Sequence, residues 1–190
     1  MRVNIASAGD WTVQEPNTVS GRVAARLRPG AAKLLLSLMK TENSGFHSPA
    51  ILPSRWLKPI NTSDADVIHL HWVGHEMLSI ADIGRIEKPV IWTMHDMWAF
   101  CGAEHYSEDV RWRDGYRRDN RPAHESGFDL NRWSWRRKRR HWQRPRHVVA
   151  PSRWLAECVR ESMYAIRIDP PEGGGVVRVT YPFIFRQAEE

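Results

Sequence analysis

One strand–helix–strand pattern between residues 64 and 95 constrains the fold of this chain more than any other feature. Residues 66–73, Asp-Val-Ile-His-Leu-His-Trp-Val, are rich in β-branched and apolar residues after the first position, with two histidines near the end, as in a buried parallel strand. Residues 75–86 place apolar side chains at helical spacing, and residues 89–95, Pro-Val-Ile-Trp-Thr-Met-His, predict a second strand. This βαβ unit predicts a parallel sheet, because parallel neighbours need a crossover connection.

A further strand–helix pair follows nearer the end of the chain. Residues 146–151, Arg-His-Val-Val-Ala-Pro, predict a strand, and Ser152 is placed to cap a helix over Arg153–Met163. The side chains predicted to face inward from this helix are Trp154, Leu155 and Val159. Weaker patterns predict strands at residues 2–6 and 176–181 and a helix at residues 31–39.

These alternating elements indicate an α/β fold with a Rossmann-like, doubly wound and mainly parallel sheet. The length of 190 residues suits a single domain. No apolar run reaches the roughly 18–20 residues that a membrane-spanning helix needs. The two cysteines, Cys101 and Cys158, are too few for a disulfide framework, so we expect a reducing, cytoplasmic setting.

Positive charge is concentrated in one part of the chain. Residues 111–146 hold 13 Lys or Arg against 4 Asp or Glu, whereas the whole chain has a net charge of +6. Four of the ten tryptophans lie in the same segment. The patterns here predict an irregular loop over residues 96–130, followed by a basic, Trp-rich helix over residues 131–143.

This basic helix has three alternative interpretations. Its arginines could contact the phosphates of nucleic acid, with the tryptophans stacking on bases. They could lie on anionic lipid, or simply form the solvated face of a helix that packs through its tryptophans. No complete nucleic-acid-binding motif occurs, so we expect no nucleic-acid partner, although a non-enzymatic binding module remains the alternative function. The arginines concerned are Arg136, Arg137, Arg139 and Arg140.

The candidate site follows from the predicted sheet. Ligands of open parallel sheets bind outside the carboxyl ends of the strands, which selects residues 69–72 and 95–106. The second stretch combines His, Asp, Cys, Glu and Tyr side chains. A histidine there can act as a general acid or base, and the aromatic rings offer flat apolar faces that suit a sugar. The alternative is a loop that plugs the edge of the domain.

The histidines also raise a metal-dependent hydrolase as a third hypothesis. Zinc prefers His, Cys and carboxylate ligands, and His69, His71 and His75 lie close together in sequence. Neither a His-Glu-x-x-His pattern nor paired Cys-x-x-Cys motifs occur. We therefore expect no metal.

Several separated stretches resemble, in the same order, the N-terminal domain of bacterial family 4 glycosyltransferases. They are similar to the subgroup that assembles colanic acid and related exopolysaccharides or O-antigens. The stretches are Ala-Asp-Val-Ile-His-Leu-His-Trp at residues 65–72, Leu-Ser-Ile-Ala-Asp-Ile-Gly at 78–84, Lys-Pro-Val-Ile-Trp-Thr-Met-His-Asp-Met-Trp-Ala-Phe-Cys-Gly-Ala-Glu-His-Tyr at 88–106, and Ala-Pro-Ser-Arg-Trp-Leu at 150–155.

The resemblance implies a GT-B fold, in which two Rossmann-like domains face a cleft, and metal-free sugar transfer with retention. The donor is a nucleotide sugar, the acceptor is a glycan or lipid-linked glycan, and no other cofactor is implied. His95 and Asp96 are implied at the reaction centre, with His95 near the C6 hydroxyl of the transferred sugar. The predicted substrate-binding residues are His71, Trp72, Trp98, Phe100, Gly102 and Tyr106.

The chain also departs from the family pattern. Members run to about twice this length, because a second domain binds the donor nucleotide. Their Glu-x7-Glu motif and their Gly-rich loop after the first strand are not found in these 190 residues. We therefore expect a partial N-terminal acceptor domain without the donor-binding domain, inactive alone. The resemblance places the basic helix at the acceptor side or against the inner face of the plasma membrane.

Overall fold

A computed structural model of the chain describes residues 19–144 and 146–165. The strands predicted at residues 2–6 and 176–181 lie outside these ranges. The described elements, in chain order, are α1 (Val19–Leu36), β1 (Met39–Lys40), α2 (Leu57–Asn61), β2 (Ile68–Leu70), α3 (Ile80–Gly84), β3 (Val90–Thr93), α4 (Arg111–Asp114), β4 (Ser126–Gly127), α5 (Leu130–His141), β5 (His147–Val149) and α6 (Arg153–Ala165).

The predicted parallel sheet is present. Strand β3 lies between β2 and β5 and is parallel to both. Leu70 pairs with Trp92, and Trp92 pairs with Val148, so the three strands end at the same edge. This sheet with its mixture of helices and strands is consistent with an α/β, Rossmann-like fold, and its doubly wound form stays a prediction. A separate antiparallel pair joins β1 to β4.

The helix predicted over residues 75–86 begins later than its apolar pattern suggested. Ser79 caps α3, since its hydroxyl accepts from the Asp82 amide while the Asp82 carboxylate accepts from the Ser79 amide. His75 and Glu76 have positive φ angles of 53° and 60°, which a right-handed helix excludes. The buried Glu76 carboxylate instead accepts from the backbone amides of Ile51 and Leu52.

The helix predicted over residues 31–39 is also corrected. Helix α1 starts at Val19 and ends at Leu36. The Ser37 and Leu38 amides close its last turn by donating to the carbonyls of Lys33 and Leu35. Met39 then pairs with Gly127 in a strand, so backbone pairing replaces the expected last turn of helix.

The region of the predicted loop over residues 96–130 contains the two short elements α4 and β4 and is otherwise irregular. One buried arginine ties it together. The guanidinium of Arg111 donates to the Glu125 carboxylate at 3.1 Å and to the Asp129 carboxylate at 2.7 Å. Asp129 also caps α5 by accepting from the Arg132 amide at 2.9 Å. The loop thus positions the start of α5, which overlaps the helix predicted over residues 131–143.

Tryptophan rings form much of the core beneath the sheet. Trp92, Trp98 and Trp142 pack against one another with ring centroids 5.2–6.2 Å apart. The Trp142 indole N–H donates to the Ile80 carbonyl at 2.8 Å, which joins the end of α5 to α3. Within residues 19–144 and 146–165, every helix is too short or too polar to cross a membrane.

Candidate active site

The ends of β2 and β3 bring two exposed histidines together. His71 and His95 follow these strands, and Nδ1 of His71 lies 3.0 Å from Nε2 of His95. Their rings are stacked, with centroids 5.3 Å apart. His69 lies in β2, two residues before His71, and its Nε2 is 2.8 Å from the Thr93 hydroxyl. The pairing of adjacent strands therefore creates a histidine row at the carboxyl edge of the sheet.

Asp96 is the most constrained group at this edge. Its Oδ1 accepts from the Trp98 amide at 2.9 Å. Its Oδ2 accepts from the Trp72 indole N–H at 3.0 Å and lies 2.5 Å from Nδ1 of His105. Three contacts fix the orientation of the carboxylate, and through it the Trp72 ring.

A second layer holds this arrangement from behind. The buried His105 places its Nε2 2.8 Å from the Ser48 hydroxyl, and its amide donates to the Phe46 carbonyl. The Ser48 carbonyl accepts from the buried Trp98 indole at 2.9 Å. Segment 46–48 therefore contributes to the site from far away in sequence, and sequence reasoning did not single it out.

An exposed aromatic surface borders the histidine row. Tyr106 donates its hydroxyl to the His95 carbonyl at 3.3 Å and stacks on Trp154 with an interplanar angle of 21°. Trp154 was predicted to face inward, but it is 52% exposed. The neighbouring Leu155 and Val159 supply the buried face of α6, which leaves Trp154 free to lie beside Tyr106. Trp72 is also exposed, so flat rings flank the histidines.

The cavity between these groups is small. It has a volume of about 10 Å³, room for about one water molecule. The exposed edges of His71, His95 and Trp72 surround it, and the exposed Tyr106 lies beside His95. The site described here is a surface, not an enclosed pocket.

Three predicted substrate-binding residues make packing contacts, and one of them, Trp98, is buried in the tryptophan core. Phe100 is buried and meets Trp112 edge to face, with centroids 6.0 Å apart. A Cβ on Gly102 would stand 2.5 Å from the Cα of Asn131, so this glycine allows loop and helix α5 to touch. A role for any of these three residues in binding substrate stays a prediction.

A buried polar cluster supports the loop that follows the site. The Lys138 ammonium, on α5, donates to the carbonyls of Trp98, Cys101 (3.1 Å) and Gly102 (2.6 Å). The Tyr116 hydroxyl donates to the Glu104 carboxylate. Burial lowers the pKa of Lys138 from 10.5 to about 7 and raises the pKa of Glu104 from 4.5 to about 7.

The four arginines predicted to form a basic surface differ in their exposure. Arg136, Arg139 and Arg140 are exposed. Arg137 is partly buried, stacks over Trp133 at 4.6 Å, and donates to the carbonyls of Pro49 and Ala50. Its guanidinium anchors α5 to the segment before β2.

The metal hypothesis requires a cluster of ligating side chains. Within residues 19–144 and 146–165, no group of three or more His, Cys, Asp or Glu side chains is arranged to hold a metal ion. His71 and His95 instead bond to each other.

The structure thus defines an α/β protein with a polar, aromatic-bordered site at the carboxyl edge of a parallel sheet. The sequence model of the family Glycosyltransferase Family 4 matches residues 41–169. This match covers more than half of the chain and includes the whole site. The chain belongs to glycosyltransferase family 4. Family membership implies a sugar donor and an acceptor as substrates. No curated protein and no solved structure matches the chain.

Proposed function

We propose that this chain provides the acceptor side of a glycosyltransferase that moves a sugar from a nucleotide donor, with retention, to a glycan or lipid-linked acceptor. The resemblance to the colanic-acid subgroup extends this proposal to bacterial exopolysaccharide or lipopolysaccharide assembly. The observation that carries it is the Asp96 arrangement beside two exposed histidines at the sheet edge, inside the segment that matches the family.

In this proposal His95 contacts the transferred sugar. Its Nε2 is engaged by His71, so Nδ1 is the ring nitrogen left to meet a sugar hydroxyl. Glycosyl transfer passes through an oxocarbenium-like transition state, in which preorganised polar groups stabilise the developing charge. Both oxygens of Asp96 are occupied, so we assign it to positioning Trp72 and His105.

Transfer needs a cleft that closes over donor and acceptor and excludes water. The resemblance places the donor nucleotide on a second domain that faces this one. We therefore propose that residues 1–190 transfer little sugar by themselves. The choice of donor sugar would then belong to that second domain.

Deleting the gene from its host and restoring variants tests the proposal in the natural setting. We expect deletion to shorten or remove one surface polysaccharide, and the wild-type gene to restore it. His95→Ala is expected to restore little, because loss of a preorganised contact costs about a hundredfold in rate. The readout is polysaccharide size and sugar composition.

His124→Ala serves as the matched control, since His124 is exposed and does not line the site. It should restore the polysaccharide fully. Full restoration by His95→Ala would remove His95 from the reaction centre, and an unchanged polysaccharide after deletion would refute the proposed pathway.

We also propose that the exposed arginines of α5 contact an anionic membrane, where lipid-linked acceptors reside. The face carries Arg136, Arg139 and Arg140, and attraction of this kind is screened by salt. Binding to phosphatidylglycerol vesicles should weaken as salt rises and should fall in Arg140→Glu. The control Arg160→Glu, on α6, should bind as the wild type does; equal binding to uncharged vesicles would contradict this contact.

A further inference from the structure

An open groove beside α5 is lined by more arginines than acidic residues. It lies between α5 and the loop at residues 114–118 and has a volume of about 470 Å³. One acidic residue, Asp114, lines it, and that carboxylate already pairs with Arg113 at 3.1 Å. The cations that line the groove are Arg117, Arg118, Arg132, Arg136 and Arg139.

Four of these arginines have no carboxylate partner within residues 19–144 and 146–165. Arg117 pairs with Asp119 at 3.2 Å, whereas the guanidinium of Arg139 lies over the Trp135 ring at 4.8 Å. Stacking on the indole holds Arg139 in place and leaves its edge N–H groups for a ligand. Clustered guanidiniums repel one another, so an anion between them would relieve that repulsion.

Buried donors point to the same kind of ligand. Trp135 lines the groove and is 5% exposed, yet its indole N–H has no acceptor in the part of the chain that the structure describes. The Nε of Arg132 is likewise buried without an acceptor there. An unpaired buried donor is costly, and an oxygen-rich anion supplies the missing acceptors.

The loop opposite α5 is held in shape before any ligand arrives. Gly115 has a φ of +84°, and a Cβ there would stand 3.4 Å from the Trp135 ring. Its carbonyl accepts from the Asn120 side chain at 2.8 Å and from the Arg117 amide at 3.1 Å. These bonds fix the backbone that carries Arg117 and Arg118 next to the helix.

We propose that this groove binds the diphosphate group of a ligand. A single carboxylate would neutralise one of the unpaired guanidiniums, whereas a diphosphate brings several negative charges and enough oxygens for bidentate contacts with more than one arginine. The group could belong to a water-soluble diphosphate compound or to a membrane lipid. The proposal does not rest on the transfer reaction, because none of the five arginines lines the site at His95.

Calorimetric titration with inorganic diphosphate tests the groove. We expect one binding site per chain, weakened about tenfold by Arg118→Gln and by Arg136→Gln, since each removes a charge-assisted contact. Trp135→Phe keeps a ring and removes the N–H, so it should also weaken binding while circular dichroism shows a folded protein. Arg160→Gln, the exposed control, should change affinity less than about twofold.

Competition with vesicles distinguishes the two sources of diphosphate. Stronger displacement of inorganic diphosphate by vesicles that contain a polyprenyl diphosphate than by phosphatidylglycerol vesicles would assign the groove to a lipid diphosphate, whereas equal displacement by both would reduce the groove to a general anionic-lipid contact and overturn the proposal. Displacement by neither would assign it to a soluble compound. The proposal is overturned if diphosphate does not bind, or if Arg160→Gln weakens binding as much as the groove variants do.

Discussion

Replacing Arg111 with methionine is expected to lower the free energy of unfolding by about 3–5 kcal/mol. Arg111 is fully buried and bonds to the carboxylates of Glu125 and Asp129. Methionine keeps most of the side-chain volume but leaves both carboxylates without their cation. Urea denaturation followed by tryptophan fluorescence measures the effect.

The matched control lies two residues away on the same short helix. Arg113 pairs with Asp114 at 3.1 Å, but both side chains are more than 40% exposed. Arg113→Met should therefore cost less than about 1 kcal/mol, the usual range for a surface ion pair. Equal losses in the two variants would show that Arg111 does not organise the loop after the site.

Replacing Lys138 with methionine is expected to cost about 2–4 kcal/mol. The ammonium is buried and donates to three carbonyls of the segment 98–102, which follows Asp96 directly. Methionine can fill the space but offers no donor. Arg140→Met, on the exposed side of α5, should change stability by less than about 0.5 kcal/mol.

The pH dependence provides a second readout for Lys138. Burial holds its pKa near 7 in the folded protein, against 10.5 in the unfolded chain. Between these values the unfolded state binds more protons, so this lysine makes the folded state more stable as pH rises. The destabilisation by Lys138→Met should therefore be larger at pH 9.5 than at pH 7. A difference that stays constant over this range would contradict a lysine whose pKa is lowered by burial.

The sheet could be predicted from the sequence because each strand is marked by its own residues and their immediate neighbours. The apolar runs of β2, β3 and β5 are bounded by polar residues, and Ser152 caps α6 as predicted, since its hydroxyl accepts from the Leu155 amide at 3.2 Å. The candidate site followed from the strand ends, which pair side by side once the strands are parallel.

Other features depended on contacts between residues far apart in sequence. The late start of α3 reflects the backbone amides at residues 51 and 52 that hold Glu76, which no periodicity reveals. Trp154 stacks on Tyr106 from much earlier in the chain, and the buried Arg111 pairs with two carboxylates 14 and 18 residues away. Which arginines of the basic segment are buried and which are exposed therefore could not be predicted from the sequence.

Sugar transfer in membranes from a strain that lacks the gene tests the central proposal most directly. The membranes, mixed with the cytosolic fraction of the same strain so that a donor-binding domain is present, would receive purified protein and a panel of radiolabelled nucleotide sugars, with label counted in the lipid and polymer fractions. We expect the wild-type protein to restore incorporation from one donor, with the anomeric configuration retained, and His95→Ala to lower it about a hundredfold. Incorporation that is the same with and without the protein, for every donor, would contradict a role in glycosyl transfer.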